Sequence, residues 1–259
     1  MKNRIAAFLL AGTVAMGMIG CSDDDNTTTP TETTTYLPTT VGSSWVYSNT
    51  ELTGDSLNPT DGAVTTDSVF VSRTGVSIGG RTATEFVTVY ADGSQDTTYY
   101  SVDGTKIYQL LDLNIAVEGA GAVDLGKKWV LSADKNATAP WSGLDTTITN
   151  IPLEYNGLPL TATAKITYVG GKLGSESVSV AGTAVECDKY SNKFAINMTI
   201  ATGILGDIKL PITTNATVWY GKNVGLVKTL TTPTTVNAAP LPEFEFPGSR
   251  IELTKYTIK

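Results

Sequence analysis

Histidine is absent from the 259 residues of this chain, and cysteine occurs only at Cys21 and Cys187. The lack of histidine excludes Ser-His and Cys-His nucleophile pairs, zinc sites built on imidazole and histidine proton relays. Basic residues are also scarce, because 18 Lys and Arg stand against 25 Asp and Glu, for a net charge of -7. A nucleic-acid partner is therefore not expected, since phosphate binding requires a basic patch.

Long apolar runs are absent except at the start, where residues 5–19 follow two basic side chains. This run is shorter than the roughly 20 residues of a transmembrane helix and is typical of a secretory signal. Gly20 directly precedes Cys21, which resembles the lipobox of bacterial lipoproteins, where the cysteine is acylated and begins the mature chain. We therefore predict a signal peptide over 1–20 and membrane anchoring through lipid on Cys21. An ordinary signal peptide with a chance cysteine is the alternative.

The residues after Cys21 are polar and acidic. Ser22 followed by three Asp resembles lipoproteins of an outer membrane and the surface-export signal of Bacteroidota lipoproteins, and a plain solvated spacer is the alternative. Residues 21–35 contain no apolar run that could offset the entropy of ordering, so they are predicted to be a lipidated Cys and a disordered tether. Removal of residues 1–20, which hold two basic side chains and no acid, leaves a net charge of -9. That charge predicts a body that stands off anionic headgroups.

Residues 36–259 alternate apolar side chains with Thr and Ser. Ala162, Ala164 and Ile166 fall on one face of such a run, and Ile196 and Met198 on one face of another. This period of two, with many β-branched residues, predicts antiparallel strands that have one solvated face. We predict an all-β chain with one β-rich domain over 36–259. Two β subdomains that meet near 134–160 are the alternative.

Chain breakers predict the connections between strands. Residues 114–127 are predicted to hold at most one short helical turn because of their glycine content. The prolines of 232–248 predict a long ordered loop or an edge crossing. Glycine pairs and Asp-Gly pairs predict hairpin turns at 79–80, 92–93, 103–104 and 170–171.

Two motifs carry a resemblance to a known group of proteins. Residues 36–47 (YLPTTVGSSWVY) resemble the Tyr-Phe-Pro-x-x-x-Gly-x-x-Trp-x-Tyr opening of uncharacterised Bacteroidota lipoproteins of the TapB/DUF3108-like group. Residues 218–228 (VWYGKNVGLVK) resemble a later Trp-Tyr-x-x-Gly-Val-Gly-Leu-Val-Lys segment, with Asn223 in place of the usual Gly, and 180–187 is similar to a hairpin of the group. The resemblance implies a curved antiparallel sheet or half-barrel, similar to lipoprotein-carrier-like folds, and an envelope location. It implies no activity.

Few residues stand out as candidates for chemistry. Cys187 lacks a histidine base and is predicted to be a small buried hydrophobe. Trp45 and Tyr47 lie two apart on a predicted strand and are expected to begin the core. Trp141 lies in an Ala-Pro-Trp-Ser-Gly context and is the tryptophan expected to be most exposed, which makes it the candidate ligand-binding residue. The carboxylates follow no recognisable motif, and no metal or cofactor is predicted.

These observations predict a non-enzymatic, lipid-anchored protein of the outer membrane, with exposure at the cell surface as a further prediction. The first hypothesis is that a hydrophobic ligand, acyl chain or envelope protein partner docks on an apolar concave face. A glycan-binding or adhesion module that uses Trp141 is the second hypothesis. A hydrolase with two carboxylates is the third.

Overall fold

The computed structural model describes residues 35–117, 121–155, 158–202, 206–237 and 243–259. The predicted signal peptide, Cys21 and the tether as far as residue 34 lie outside these ranges. The described residues form fourteen β-strands and no helix, so the all-β prediction is confirmed. Accordingly, none of them belongs to a helix long and apolar enough to cross a membrane.

Twelve strands form one antiparallel sheet, and two short strands form a second. The order in the large sheet is β6-β5-β4-β3-β2-β1-β14-β11-β10-β9-β8-β7, and β12 pairs with β13. The strand bounds are β1 Ser44–Thr53, β2 Thr60–Ile78, β3 Arg81–Val89, β4 Gln95–Asp103, β5 Lys106–Val117, β6 Gly121–Asp134, β7 Trp141–Tyr155, β8 Leu158–Val180, β9 Thr183–Ala201, β10 Asp207–Gly221, β11 Gly225–Thr231, β12 Thr234–Val236, β13 Phe244–Phe246 and β14 Gly248–Thr257.

The large sheet curls until its two outermost strands meet. The short connection at 135–140 joins β6 to β7, and these strands contact each other although no ladder pairs them. The sheet is thereby nearly closed into a barrel, which confirms the predicted curved sheet or half-barrel. We call its two ends the tether end and the far end. The tether end holds residues 35–43, the turns at 104–105, 135–140 and 222–224, and residues 258–259, whereas the far end holds the connections at 54–59 and 90–94 and the small sheet.

The predicted alternation places apolar side chains inside the curl. Ala164 pairs with Met198 across β8 and β9, and Ile166 pairs with Ile196, so that their side chains share the inner face. These residues belong to a buried cluster toward the far end, which Val236 of β12 also joins. A second cluster fills the tether end, and its members include Trp45, Tyr47, Phe86, Tyr190 and Tyr220. Removal of this apolar surface from water is the main stabilising term, at about 25 cal/mol per Å².

Three local predictions are wrong. Residues 114–117 and 121–127 lie in β5 and β6, because β pairing with neighbouring strands overrides their weak local preference. The predicted turn at 170–171 lies inside the 23-residue strand β8, where Gly170 leaves room for the ring of Trp141. The predicted loop at 232–248 contains β12 and β13, and Val236 of β12 is buried against the far-end cluster.

Two long hairpins bend over the outer face of the sheet. The β2–β3 turn reaches Trp129 of β6, whose Nε1 donates to the carbonyl of Ile78 at 3.2 Å. The β8–β9 hairpin bends at a bulge beside Gly174, whose φ of 127° suits glycine. Its tip packs over β11 and β14, and Trp219 of the neighbouring strand β10 belongs to the same buried cluster as Trp45. Trp219 is therefore buried, whereas Trp129 is half-buried.

A group of tyrosines lies inside the tether end. Burial raises the pKa of Tyr47, Tyr100, Tyr168, Tyr190 and Tyr220 above the ordinary value of 10.0. Nearby Tyr220 raises the pKa of Tyr47, Tyr100 and Tyr168 further, because two phenolates would repel each other. The hydroxyl of Tyr47 also donates to the carbonyl of Leu226 at 2.9 Å. Folding therefore holds these phenols in their neutral form.

Stability is expected to fall as the pH rises above 10. The unfolded chain releases phenol protons near that pH, whereas the folded chain keeps them, so the stabilisation is complete below pH 10 and is lost above it. Melting temperature measured by circular dichroism between pH 8 and pH 11 should drop, and the tyrosinate absorbance that these five residues contribute should appear only together with unfolding. If the folded protein showed ordinary tyrosinate titration for all its tyrosines, the prediction would fail.

Candidate functional site

The two sequence motifs meet at the tether end. Trp45 is 2% exposed, and its Nε1 donates to the carbonyl of Val224 at 2.6 Å. Gly225 lies against the indole with a φ of 101°, and a Cβ at this position would lie 3.3 Å from Nε1 of Trp45. The structure thus confirms the prediction that Trp45 begins the core, and it makes the motifs one structural unit.

Thr35, the first described residue, is held on the β10–β11 turn by two hydrogen bonds to Asn223, a pair that we call the clamp. The backbone N–H of Thr35 donates to Oδ1 of Asn223 at 3.1 Å, and the N–H of Asn223 donates to the carbonyl of Thr35 at 2.8 Å. Asn223 has a φ of 57°, a conformation that asparagine tolerates better than most side chains. The departure from glycine at this position therefore supplies a hydrogen-bond acceptor to the incoming segment.

A polar cluster lies beside this clamp. Asp188 is 7% exposed, accepts a hydrogen bond from Ser175 at 2.7 Å and pairs with Lys172 at 3.1 Å. Burial would raise the pKa of Asp188, but the hydrogen bonds from Ser175 and Lys172 outweigh it and hold the pKa below its ordinary value. Burial and nearby Asp188 raise the pKa of Tyr36 to about 12. The charge and the hydrogen-bonding capacity of Asp188 are thus met by Ser175, Lys172 and Tyr36, which indicates a structural role for this cluster.

A groove opens on the outer face beneath the bent β8–β9 hairpin. It encloses about 330 Å³, near the lower limit of small-molecule sites. The hairpin supplies one wall, and β11 and β14 supply the floor and the other wall. The lining residues are Val178, Ser179, Ala181, Val227, Glu252, Leu253 and Thr254.

The groove combines apolar walls with one fixed carboxylate. Val227 and Leu253 are buried at 1% and 4% exposure and form part of its apolar surface. Glu252 pairs with Lys228 at 2.8 Å and with Arg250 at 3.5 Å, so its charge is compensated by two cations that are not among the lining residues. This arrangement can hold a small apolar group.

Trp141 lies at the seam of the curled sheet and not in a loop. It is the first residue of β7, it is half-buried, and its Nε1 donates to the carbonyl of Leu131 in β6 at 2.8 Å. The ring also stands edge-on to Tyr190, with centroids 6.3 Å apart. These contacts give Trp141 a structural role at the closure, and ligand binding through it stays a prediction.

Cys187 is buried, as predicted, at 2% exposure. Burial, followed by the nearby carboxylates, raises the pKa of its thiol to about 12, so the reactive thiolate is suppressed at neutral pH. Among the residues that the structure describes, no group of three or more His, Cys, Asp or Glu could hold a metal ion.

The sequence did not single out the groove. The 180–187 segment was identified as a hairpin, but nothing in the sequence shows that this hairpin bends across β11 and β14. The available signal was Gly174, which lies where β8 would otherwise continue straight. Val227 and Glu252 lie in or near ordinary alternating strands and carry no separate signal.

Comparison with solved structures finds proteins to which this chain is similar. The chain is similar to a candidate lipoprotein from Parabacteroides distasonis, with a TM-score of 0.45 and 15% identity over 87% of this chain and 100% of that one. It is also similar to a candidate exported protein with a YmcC-like fold from Bacteroides fragilis, with a TM-score of 0.38 and 10% identity over 85% of this chain and 98% of that one. No protein family and no curated protein sequence matches the chain. Membership of the TapB/DUF3108-like group stays a prediction.

Proposed function

We propose that this chain is a lipid-anchored protein of the cell envelope and that its β-body is a non-enzymatic binding module. The observation that carries the anchor is Cys21, which follows a basic start, a short apolar run and a small residue. Ser22 and the acidic run after it favour an outer-membrane destination and exposure at the cell surface. Several acyl chains at Cys21 would anchor the body firmly, at about 0.8 kcal/mol per buried CH₂.

Replacing Cys21 with Ser is expected to abolish membrane attachment, because serine offers no thiol for acylation. Labelled palmitate should be incorporated by the natural protein and not by the C21S variant, and only the natural protein should sediment with membranes. Cys187→Ser is the matched control, since that thiol is buried inside the body. Equal palmitate incorporation in natural and C21S protein would refute the anchor.

The groove is the proposed binding site, with a small neutral apolar molecule, or the end of an acyl chain, as ligand. The observation that carries this part is a cavity of about 330 Å³ whose walls include Val178, Val227 and Leu253. Its single carboxylate, Glu252, disfavours anionic groups at the rim. The concave face at the tether end, in contrast, is filled by the aromatic cluster. We therefore place the hydrophobic ligand of the first hypothesis in the groove on the outer face and not on the concave inner face.

Filling the groove is expected to block binding. Ser179 lines the groove and is exposed, so Ser179→Trp should occupy the space and weaken binding of the neutral probe N-phenylnaphthylamine at least about tenfold, or about 1.4 kcal/mol. Ser177→Trp is the matched control, because Ser177 is exposed on the same strand and is not a lining residue. Probe fluorescence measures binding, and circular dichroism checks the fold. No binding to the natural protein, or equal binding by both variants, would contradict the proposal.

A glycan-binding module receives less support. The side chains of Trp45 and Trp219 are buried, whereas Trp129 and Trp141 are half-buried and donate to backbone carbonyls. A flat exposed indole of the kind that stacks on sugars is therefore not offered by these four residues.

A further inference from the structure

The position of the clamp determines which end of the body is tied to the anchor. Thr35 is held on the turn at Asn223, at the tether end of the curled sheet. The chain from Cys21 to Thr35 spans at most about 50 Å when fully extended, at about 3.6 Å per residue. An acylated Cys21 would therefore keep the tether end within that distance of the bilayer.

Lysines collect at this end. None of the following forms an ion pair in the described part of the chain: Lys106, Lys135, Lys222, Lys255 and Lys259. The last three are exposed. The carboxylates nearby are Asp103, Asp134, Glu176, Glu186 and Asp188, of which Asp188 is paired with Lys172 and Glu176 with Lys189. The tether end is thus less acidic than the net charge of the chain suggests.

Exposed apolar side chains lie among these lysines. Their exposed fractions are large for apolar residues: Val41 53%, Val102 42%, Leu173 56%, Tyr256 38% and Ile258 37%. Val41 and Ile258 flank the start of β1 and the end of β14, and Val102 adjoins the β4–β5 turn. Lysines mixed with aliphatic and aromatic side chains are typical of surfaces that rest in the headgroup region of a bilayer.

The far end has a different character. Its exposed apolar residues, Leu57, Val64 and Tyr90, lie among carboxylates. The acidic residues on that side are Glu51, Asp55, Asp61, Asp92, Asp96, Asp112, Asp207, Glu243 and Glu245, whereas the basic ones are Lys127, Lys209 and Arg250. Anionic headgroups would repel this end and attract the other.

We propose that the tether end docks on the bilayer that holds the lipid anchor, with lysines at anionic headgroups and the apolar side chains at headgroup level. This inference depends on the proposed lipid anchor. It replaces the expectation that an acidic body stands off the membrane, because the acidic charge is concentrated at the far end.

The test uses the full lipidated protein in vesicles of phosphatidylethanolamine and phosphatidylglycerol. An environment-sensitive fluorophore is attached to a cysteine introduced by Ile258→Cys or Val41→Cys at the tether end, or by Leu57→Cys at the far end. Native Cys187 is buried and should not react. Nitroxide-labelled lipid then reports contact with the bilayer by quenching. We expect a blue shift and strong quenching at positions 258 and 41, and neither at position 57.

Charge reversal tests the chemistry of docking. The Lys222→Glu and Lys259→Glu variants should each lower the ratio of docked to free body by about 25-fold, since one unit charge near an anionic surface contributes about fivefold and each reversal changes the charge by two units. Matched variants at the far end, such as Lys209→Glu, should leave the quenching unchanged.

Flotation separates the two proposals. Protein that fails to float with the vesicles has no lipid anchor, and that result overturns the proposed function. Protein that floats but shows equal quenching at positions 258, 41 and 57 keeps the anchor and overturns the docking. Quenching that is unaffected by both charge reversals overturns the role of the lysines.

Discussion

Replacing Trp45 with Ala is expected to lower the free energy of unfolding by about 3–5 kcal/mol, the usual cost of truncating a large buried aromatic side chain. Trp45 is 2% exposed, its ring lies 5.8 Å from that of Phe86, and its Nε1 bonds to Val224. The variant would lose this packing, leave a cavity, and leave the Val224 carbonyl without its donor. Because domains of this kind are stable by about 5–15 kcal/mol, the loss should be plain in urea unfolding.

Two comparisons make the Trp45 prediction specific. Trp45→Phe keeps most of the ring and removes the hydrogen bond, so it should cost less than the alanine variant. Trp129→Ala removes a half-buried tryptophan from the outer face and should also cost less. The assignment of Trp45 to the centre of the tether-end core would be wrong if the two alanine variants were equally stable.

Replacing Gly170 with Ala is expected to cost about 1–3 kcal/mol of stability, as overpacking does in tight interiors. A Cβ at Gly170 would lie 2.4 Å from two carbon atoms of the Trp141 ring, which is shorter than any real contact. Trp141 in turn bonds to Leu131 across the seam, so the added methyl group should displace the residue that ties β7 to β6. Urea unfolding of the variant measures the cost.

The neighbouring glycine and a double variant provide the controls. A Cβ at Gly171 would meet only the Ser191 hydroxyl at 3.3 Å and Pro140 at 3.9 Å, so Gly171→Ala should be much milder. In a Trp141→Ala background the Gly170→Ala change should cost less than about 1 kcal/mol, because the atoms it strikes are gone. An unchanged cost in that background would show that the strain has another source.

The sequence predicted well whatever depends on local alternation. Ala164, Ile166, Ile196 and Met198 were predicted to face the core from the period of two alone. Alternate side chains of a strand point to opposite faces, and here one face is buried and the other is solvated. Glycine signals at 79–80 and 92–93 marked true turns for the same local reason. The turn predicted at Gly170 was wrong because this glycine leaves space for the ring of Trp141, which lies far from it in the sequence. The residues next to Gly170 in the sequence carry no sign of that contact.

The candidate site was harder to predict because it depends on tertiary placement. The groove exists only because the β8–β9 hairpin bends near Gly174 and covers strands that lie far away in the chain. Trp141 in a Pro- and Gly-flanked segment looked like an exposed loop residue, whereas sheet closure turned it inward. The distribution of charge between the two ends likewise follows from strand order and not from composition.

The clamp between Thr35 and Asn223 also has a mechanical consequence. A pull on the proposed anchor at Cys21 would reach the body first at the paired hydrogen bonds on the β10–β11 turn. The force would next act on Trp45, whose Nε1 donates to the Val224 carbonyl and whose indole packs against Gly225. The load would then be shared between β1 and the β10–β11 turn, so that the buried tether-end cluster would resist the pull instead of β1 peeling away.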